Sequence, residues 1–163
     1  SRGLVGSEMC IRDRFIPDVE VYSIDEAFLK IQGYEKYDLF EYASKMRNTI
    51  LKWTGIPTSI GIAPTKSLSK ISNKIARKYP NKTKHVHILD TASKRVKALN
   101  YFALNDIWGI GIRLSKRLQN IGCKNALDFV NLPEQWVKSN LSIVELRIQQ
   151  ELKGVSNLSL IHI

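Results

Sequence analysis

Val19-Glu20-Val21-Tyr22-Ser23-Ile24-Asp25-Glu26-Ala27-Phe28-Leu29-Lys30-Ile31 is the stretch on which the reading of this chain turns. Residues 19–24 are mostly β-branched or aromatic and predict a strand; 27–31 predict a second, ending near Gly33. Two adjacent carboxylates, Asp25 and Glu26, stand between them. Neighbours in a regular strand point to opposite faces, so both acids serve one site only if the chain turns or bulges there. A hairpin would place them together at one sheet edge. Clustered carboxylates repel one another, and a divalent cation relieves the repulsion; oxygen-only donors suit Mg²⁺. An Asp-Glu pair in a turn is by itself commonplace, and its plain alternative is a solvated turn.

Downstream, Leu39, Ala43, Met46, Ile50 and Trp53 recur at helical spacing, which predicts a helix over 37–54 stopped by Gly55. Residues 58–63 (Thr-Ser-Ile-Gly-Ile-Ala) predict a short buried strand. A helix over 66–78 follows and ends at Pro80; 85–89 predict another strand. After Asp90 strand signals stop, and short helices are expected over 92–99, 112–121, 125–130, 133–139 and 143–152. The expected class is α+β: a mainly antiparallel sheet with helices on one face over 15–91, then an all-helical module over 92–157.

The two ends read as foreign. Met9-Cys10-Ile11-Arg12-Asp13-Arg14 and Leu158-Ser159-Leu160-Ile161-His162-Ile163 can be encoded by reverse complements of one DNA word, which resembles a sequencing-library adapter. Residues 1–14 and 158–163 are therefore expected to carry no fold, leaving an internal piece of a longer protein.

The chain has 25 basic and 15 acidic residues, or 22 and 13 once Arg2, Arg12, Arg14, Glu8 and Asp13 are set aside. The hydrophobic fraction of 44% excludes a disordered tail, and no apolar run reaches the ~18 residues of a membrane span. With Cys10 set aside only Cys123 remains, which points to a reducing compartment, the cytoplasm. The positive charge is concentrated between Lys66 and Lys97, where Asp90 is the single acid. A cluster of one sign favours a polyanion such as nucleic acid over an ordinary solvated face.

Gly109-Ile110-Gly111 precedes a basic stretch with Arg113, Lys116 and Arg117. Glycines let a backbone turn approach a phosphate, and the following helix offers free N–H groups and its positive end. With Leu118 and Ile121 available beneath it, this is a helix–hairpin–helix signature. Such contact is blind to base sequence. His85 and His87 lack a third ligand nearby, and Trp53, Trp108 and Trp136 read as core.

Taken together, Phe15–Leu29 (FIPDVEVYSIDEAFL), Thr58–Lys70 (TSIGIAPTKSLSK) and Ile107–Gly122 (IWGIGIRLSKRLQNIG) resemble, in order and spacing, the Y-family translesion DNA polymerases, and most nearly the UmuC subgroup. The resemblance implies the back of a polymerase palm (15–91) followed by a thumb (92–157). It implies nucleotidyl transfer from dNTP onto primer-template DNA in DNA repair and SOS damage tolerance, assisted by two Mg²⁺ ions. Asp25 would ligate both ions and Glu26 chiefly the nucleophile-side ion, with Ser23 beside them. Lys78 is the match for a lysine on the triphosphate, with Arg77 next to it. Lys66 and Lys70 match lysines near the site and the DNA backbone. Accessory UmuD-like subunits, a sliding clamp and a recombinase filament are implied as partners, and no membrane.

The chain also departs from the family pattern. An earlier metal-binding Asp, the fingers and a steric-gate aromatic would precede Phe15, and a little finger would follow Asn157. Lys30 stands where Asp is common, and Ile112 where a basic residue is common. The fragment itself is therefore expected to be inactive. The rival from another class is a non-catalytic helix–hairpin–helix DNA-binding module, which leaves the Asp25-Glu26 turn without a purpose.

Overall fold

The computed structural model describes residues 15–23, 25–31, 33–34, 36–155 and 160–162. The 19–31 stretch forms the expected hairpin. Strand β1 (Val19–Val21) pairs antiparallel with β2 (Ala27–Lys30), Val21 opposite Ala27, and the Tyr22 and Ser23 amides both donate to the Glu26 carbonyl. Helix α1 (Leu39–Thr54) starts at Asp38, whose carboxylate accepts from the Phe40 and Glu41 amides, and stops at Gly55 with φ 72°. Strand β3 (Ile60–Ala63) leads into α2 (Lys66–Lys78), and one turn of helix, α3 (Pro80–Thr83), connects to β4 (Val86–Ile88), parallel to β3.

All four residues of β3 are buried. Ile60 and Ile62 join Ala43, Met46 and Ile50 of α1 in one core, whereas Ala63 joins Leu68 and Ile71 of α2 in the other. Successive strand residues face opposite ways, so α1 and α2 lie on opposite faces of the sheet. This corrects the expectation of helices on one face. The cause is visible in β3 itself, which has no polar face to turn toward water.

The sheet order is β1-β2-β5-β3-β4, where β5 is Leu160–His162. Three of its four pairings are antiparallel, as expected. Of the segment 158–163, expected to carry no fold, the described residues 160–162 instead form this central strand, with Ile161 opposite both Leu29 and Ile62. Strands β2 and β3 are separated by one strand's width, and their facing N–H and C=O groups need partners that a short extended segment supplies. The expectation for 1–14 lies outside the described residues.

Helices α4 (Ala92–Tyr101), α5 (Ile112–Asn120), α6 (Ala126–Asn131), α7 (Glu134–Asn140) and α8 (Ile143–Lys153) form the helical module, with a 3₁₀ turn at Leu104–Asp106. Its core (Leu104, Ile110, Leu118, Phe129, Leu152) is continuous with Leu68 and Ile71 of α2. Glu151 of α8 seals the junction. Its carboxylate accepts from the Ser67 amide and hydroxyl, and its carbonyl accepts from the Thr65 hydroxyl, so the N-terminus of α2 is capped from the helical module. Of the tryptophans read as core, Trp53 is exposed, and Trp108 and Trp136 are half-buried.

Candidate active site

Asp25 and Glu26 close the β1–β2 hairpin at one end of the sheet, as the sequence predicts. Asp25 is exposed, and its Oδ1 accepts from the Ser23 hydroxyl at 2.7 Å. Glu26 is half-buried and directed at α2, where its Oε2 lies 2.9 Å from the Lys70 ammonium.

The α2 lysines form a stripe. Lys66, Lys70, Lys74 and Lys78 recur every four residues, the spacing that stacks side chains along one helix face. Each meets a different element. Lys66 contacts Glu20 at 2.5 Å, Lys70 meets Glu26, and Lys74 donates to the Asp106 carbonyl at 2.7 Å. Lys78 donates to the Tyr101 hydroxyl. That bond pushes the Lys78 ammonium's pKa up and the Tyr101 phenol's down. The stripe thus runs from the acidic hairpin to the helical module.

A cleft of about 300 Å³ lies along it, lined by Glu26, Lys70, Lys74, Arg77, Trp108 and Gly109 among others. Arg77 lines this cleft and Lys78 does not; Lys78 sits instead with Tyr79 and Tyr101. The structure brings Glu26, Lys70, Arg77 and Gly109 together from the residues that sequence reasoning selected. Asp25 and Lys66 do not line the cleft, and Lys66 pairs with Glu20.

Sequence reasoning missed an aromatic pair of which Trp108 lines the cleft. Tyr22 and Trp108 pack edge to face at 5.2 Å between centroids, and the Trp108 indole N–H donates to the Tyr22 hydroxyl at 3.0 Å. The Lys70 ammonium lies 4.2 Å from the Tyr22 ring centre and 4.9 Å from that of Trp108. The one available signal was an aromatic residue directly before the Gly109 turn.

At that turn Gly109 has φ 91°, and a Cβ there would run into Ile148. Gly111 caps α5 with ordinary backbone angles and open space around it. Ile110 is buried, while Arg113 and Lys116 are exposed. Leu118 packs beneath as expected; Ile121 is 46% exposed and does not. The element before the turn is a single 3₁₀ turn.

Two carboxylates from one turn offer the oxygen donors that Mg²⁺ takes. Among the described residues no third Asp, Glu, His or Cys joins them. The residues present therefore fit part of a two-ion site. His85 and His87 belong to no metal-ligating group among the described residues; His87 Nδ1 lies 2.9 Å from the Ser72 hydroxyl oxygen.

An acidic hairpin on an α+β sheet thus faces a basic helix, and a helical module with a glycine turn follows. Residues 7–74 match the impB/mucB/samB family. The chain is 35% identical over 147 residues to the protein UmuC of Salmonella typhimurium, covering 90% of this chain and 35% of that one. It is 36% identical over 134 residues to DNA polymerase IV of Picrophilus torridus, covering 82% and 36%. In fold it is similar to the Dbh DNA polymerase in an insertion ternary complex, with TM-score 0.71 and 26% identity over 94% of this chain and 45% of that one. In sequence and in fold, then, the chain is UmuC-like and falls with the Y-family DNA polymerases. It spans about a third of the length of the curated relatives it matches. No helix among the described residues is long and apolar enough to cross a membrane.

Proposed function

We propose that this chain supplies the acidic hairpin and the thumb of a translesion DNA polymerase, which adds dNTPs to a primer on damaged template DNA. The observation that carries the proposal is the convergence of Glu26, Lys70 and Arg77 on one cleft beside the Gly109 turn, with Asp25 next to Glu26 in the hairpin. Asp25 and Glu26 would hold Mg²⁺, which supplies charge neutralisation and an activated primer hydroxyl when bound. Ser23 orients the Asp25 carboxylate through its hydroxyl. Arg77 and Lys74, exposed on the cleft wall, offer cationic donors to a triphosphate, and Arg77 takes this role ahead of Lys78 because it alone of the two lines the cleft. The 109–111 turn and the N-terminus of α5, with Arg113 and Lys116, hold backbone phosphates without reading bases. Accessory subunits, a clamp and a recombinase filament belong to this reading as partners of the whole enzyme, and the cytoplasm as its place. A DNA-binding module without chemistry leaves the acidic hairpin and its matching lysine stripe unexplained.

With no third carboxylate among the described residues, the chain alone is expected not to extend a primer. The test is a chimera in which residues 15–155 replace the matching segment of the Salmonella typhimurium UmuC protein, assayed for primer extension with Mg²⁺ and all four dNTPs. Extension should appear, and Asp25→Ala or Glu26→Ala should abolish it while DNA binding persists. Extension that survives Asp25→Ala would remove these carboxylates from the site.

A further inference from the structure

The Lys70 ammonium is held from three sides: the Glu26 carboxylate at 2.9 Å, the Tyr22 ring at 4.2 Å and the Trp108 ring at 4.9 Å. The two rings are locked to each other by the Trp108-to-Tyr22 hydrogen bond of 3.0 Å. Lys70 is the most buried member of the stripe's ion pairs, with 16% of its side chain exposed, against 31% for Lys66 and 45% for Lys74. Aromatic faces attract a cation more strongly as water is excluded. The supports come from two parts of the chain, the hairpin (Glu26 and Tyr22) and the turn ahead of α5 (Trp108), and they meet on a lysine of α2.

We infer that Lys70 is a built-in counter-ion for Glu26, positioned by Tyr22 and Trp108, and that it competes with a divalent cation for that carboxylate. The inference rests on the reading of Asp25 and Glu26 as a metal site. Lys70 neutralises the hairpin when no metal is bound, so the two adjacent carboxylates do not force the turn open. For Glu26 to join Asp25 in holding a divalent cation it would have to leave Lys70, whose ammonium would then stand free beside the cleft. Trp108 is then a positioning residue: it belongs to the segment leading into α5, so any shift of that segment alters how firmly Lys70 holds Glu26.

The experiment uses the full chain and two readouts. The first is lysine labelling by an acetylating reagent with mass-spectrometric mapping. Lys70 should label more slowly than Lys116. Trp108→Ala and Glu26→Gln should each raise its rate to near that of Lys116, and Trp108→Phe should restore most of the protection. The second is Mn²⁺ binding followed by loss of the free-ion EPR signal. Removing an ion-pair competitor should tighten binding roughly fivefold in Lys70→Gln. Lys74→Gln makes the same charge change one helical turn away and should tighten it less. Mn²⁺ should also raise Lys70 labelling.

Lys70 labelling as fast as Lys116 in the unaltered chain, or indifferent to Trp108→Ala, overturns the inference. Mn²⁺ binding that requires Asp25 but is the same in Lys70→Gln and Lys74→Gln overturns it too, while leaving the metal reading intact. No Mn²⁺ binding by any variant sinks the metal reading and the competition together.

Discussion

Gly61 on β3 lies directly beneath the backbone of Asn73 on α2: a Cβ at residue 61 would overlap the Asn73 amide nitrogen and the Ser69 carbonyl oxygen. The helix that carries the lysine stripe is thus seated on the sheet at van der Waals distance from bare backbone. Ser72 and Asn73 fix its rotation, the first donating to the His87 carbonyl at 2.9 Å and the second to the Ser59 carbonyl at 2.6 Å.

Gly61→Ala should therefore lift α2 off the sheet. Overpacking a core costs ~1–3 kcal/mol where side chains can yield, and here the obstructing atoms are backbone. A loss of about 3 kcal/mol or more is expected in urea denaturation. Gly55→Ala, where a Cβ meets open space, should cost less, about 1 kcal/mol, through its φ of 72° alone.

Deletion of 158–163 should destabilise the chain, because Leu160–His162 pairs on both sides within the sheet. Each buried backbone group left unpaired costs ~1–3 kcal/mol, and water entering the slot recovers part of that. The midpoint should fall by the equivalent of about 2 kcal/mol or more. A deletion that leaves thermal and urea midpoints unchanged would show that the sheet does not depend on this strand.

Much of this was legible in the sequence, and the exceptions are instructive. The hairpin followed from two β-rich runs around Asp25-Glu26, and the α-helices of the module from local period. The two-faced burial of the sheet was encoded in Ile60-Gly61-Ile62-Ala63, an unbroken apolar run, but no local rule says which helix takes which face. The filling of the central slot by Leu160–His162 was not legible: it depends on an unmet backbone demand of β2 and β3. The site divides in the same way. Asp25 and Glu26 announce themselves by adjacency. The partners of Glu26 and Tyr22 lie 44 and 86 residues away, at Lys70 and Trp108, beyond any spacing argument. The choice between Arg77 and Lys78 turned on the rotation of α2, which Gly61 and Asn73 set.

His87 should make stability pH-dependent. Burial lowers its pKa below the usual 6.5, Lys94 lowers it further, and Asp90 partly opposes both. The unfolded chain then binds a proton that the folded chain refuses, so stability is full above about pH 6.5. It declines as pH falls through the interval between that value and the lowered native pKa, below which the loss is complete. Urea midpoints measured from pH 8 to 5 should fall in the lower part of the range. His87→Gln should flatten the dependence there.

The glycine turn offers the sharpest separation of structure from binding. Gly109 has φ 91°, and its missing Cβ leaves room for Ile148, so Gly109→Ala should lower stability by about 1–3 kcal/mol and disturb binding only as a consequence. Gly111 has an extended backbone that any residue adopts, with open space around it. Gly111→Ala should therefore leave the melting temperature unchanged. If the turn receives a phosphate, the added methyl group nonetheless stands between the α5 amides and the ligand, and duplex affinity should drop severalfold. Arg113→Gln and Lys116→Gln, both exposed, should weaken binding equally for unrelated sequences. Each should reduce the slope of log affinity against log salt by roughly one. The measurement is fluorescence anisotropy with a labelled duplex across a salt series, beside a thermal melt of each variant. Unaltered affinity in Gly111→Ala, together with an unaltered salt slope in both charge variants, would place the DNA elsewhere on the chain and reduce the turn to a link between α4 and α5.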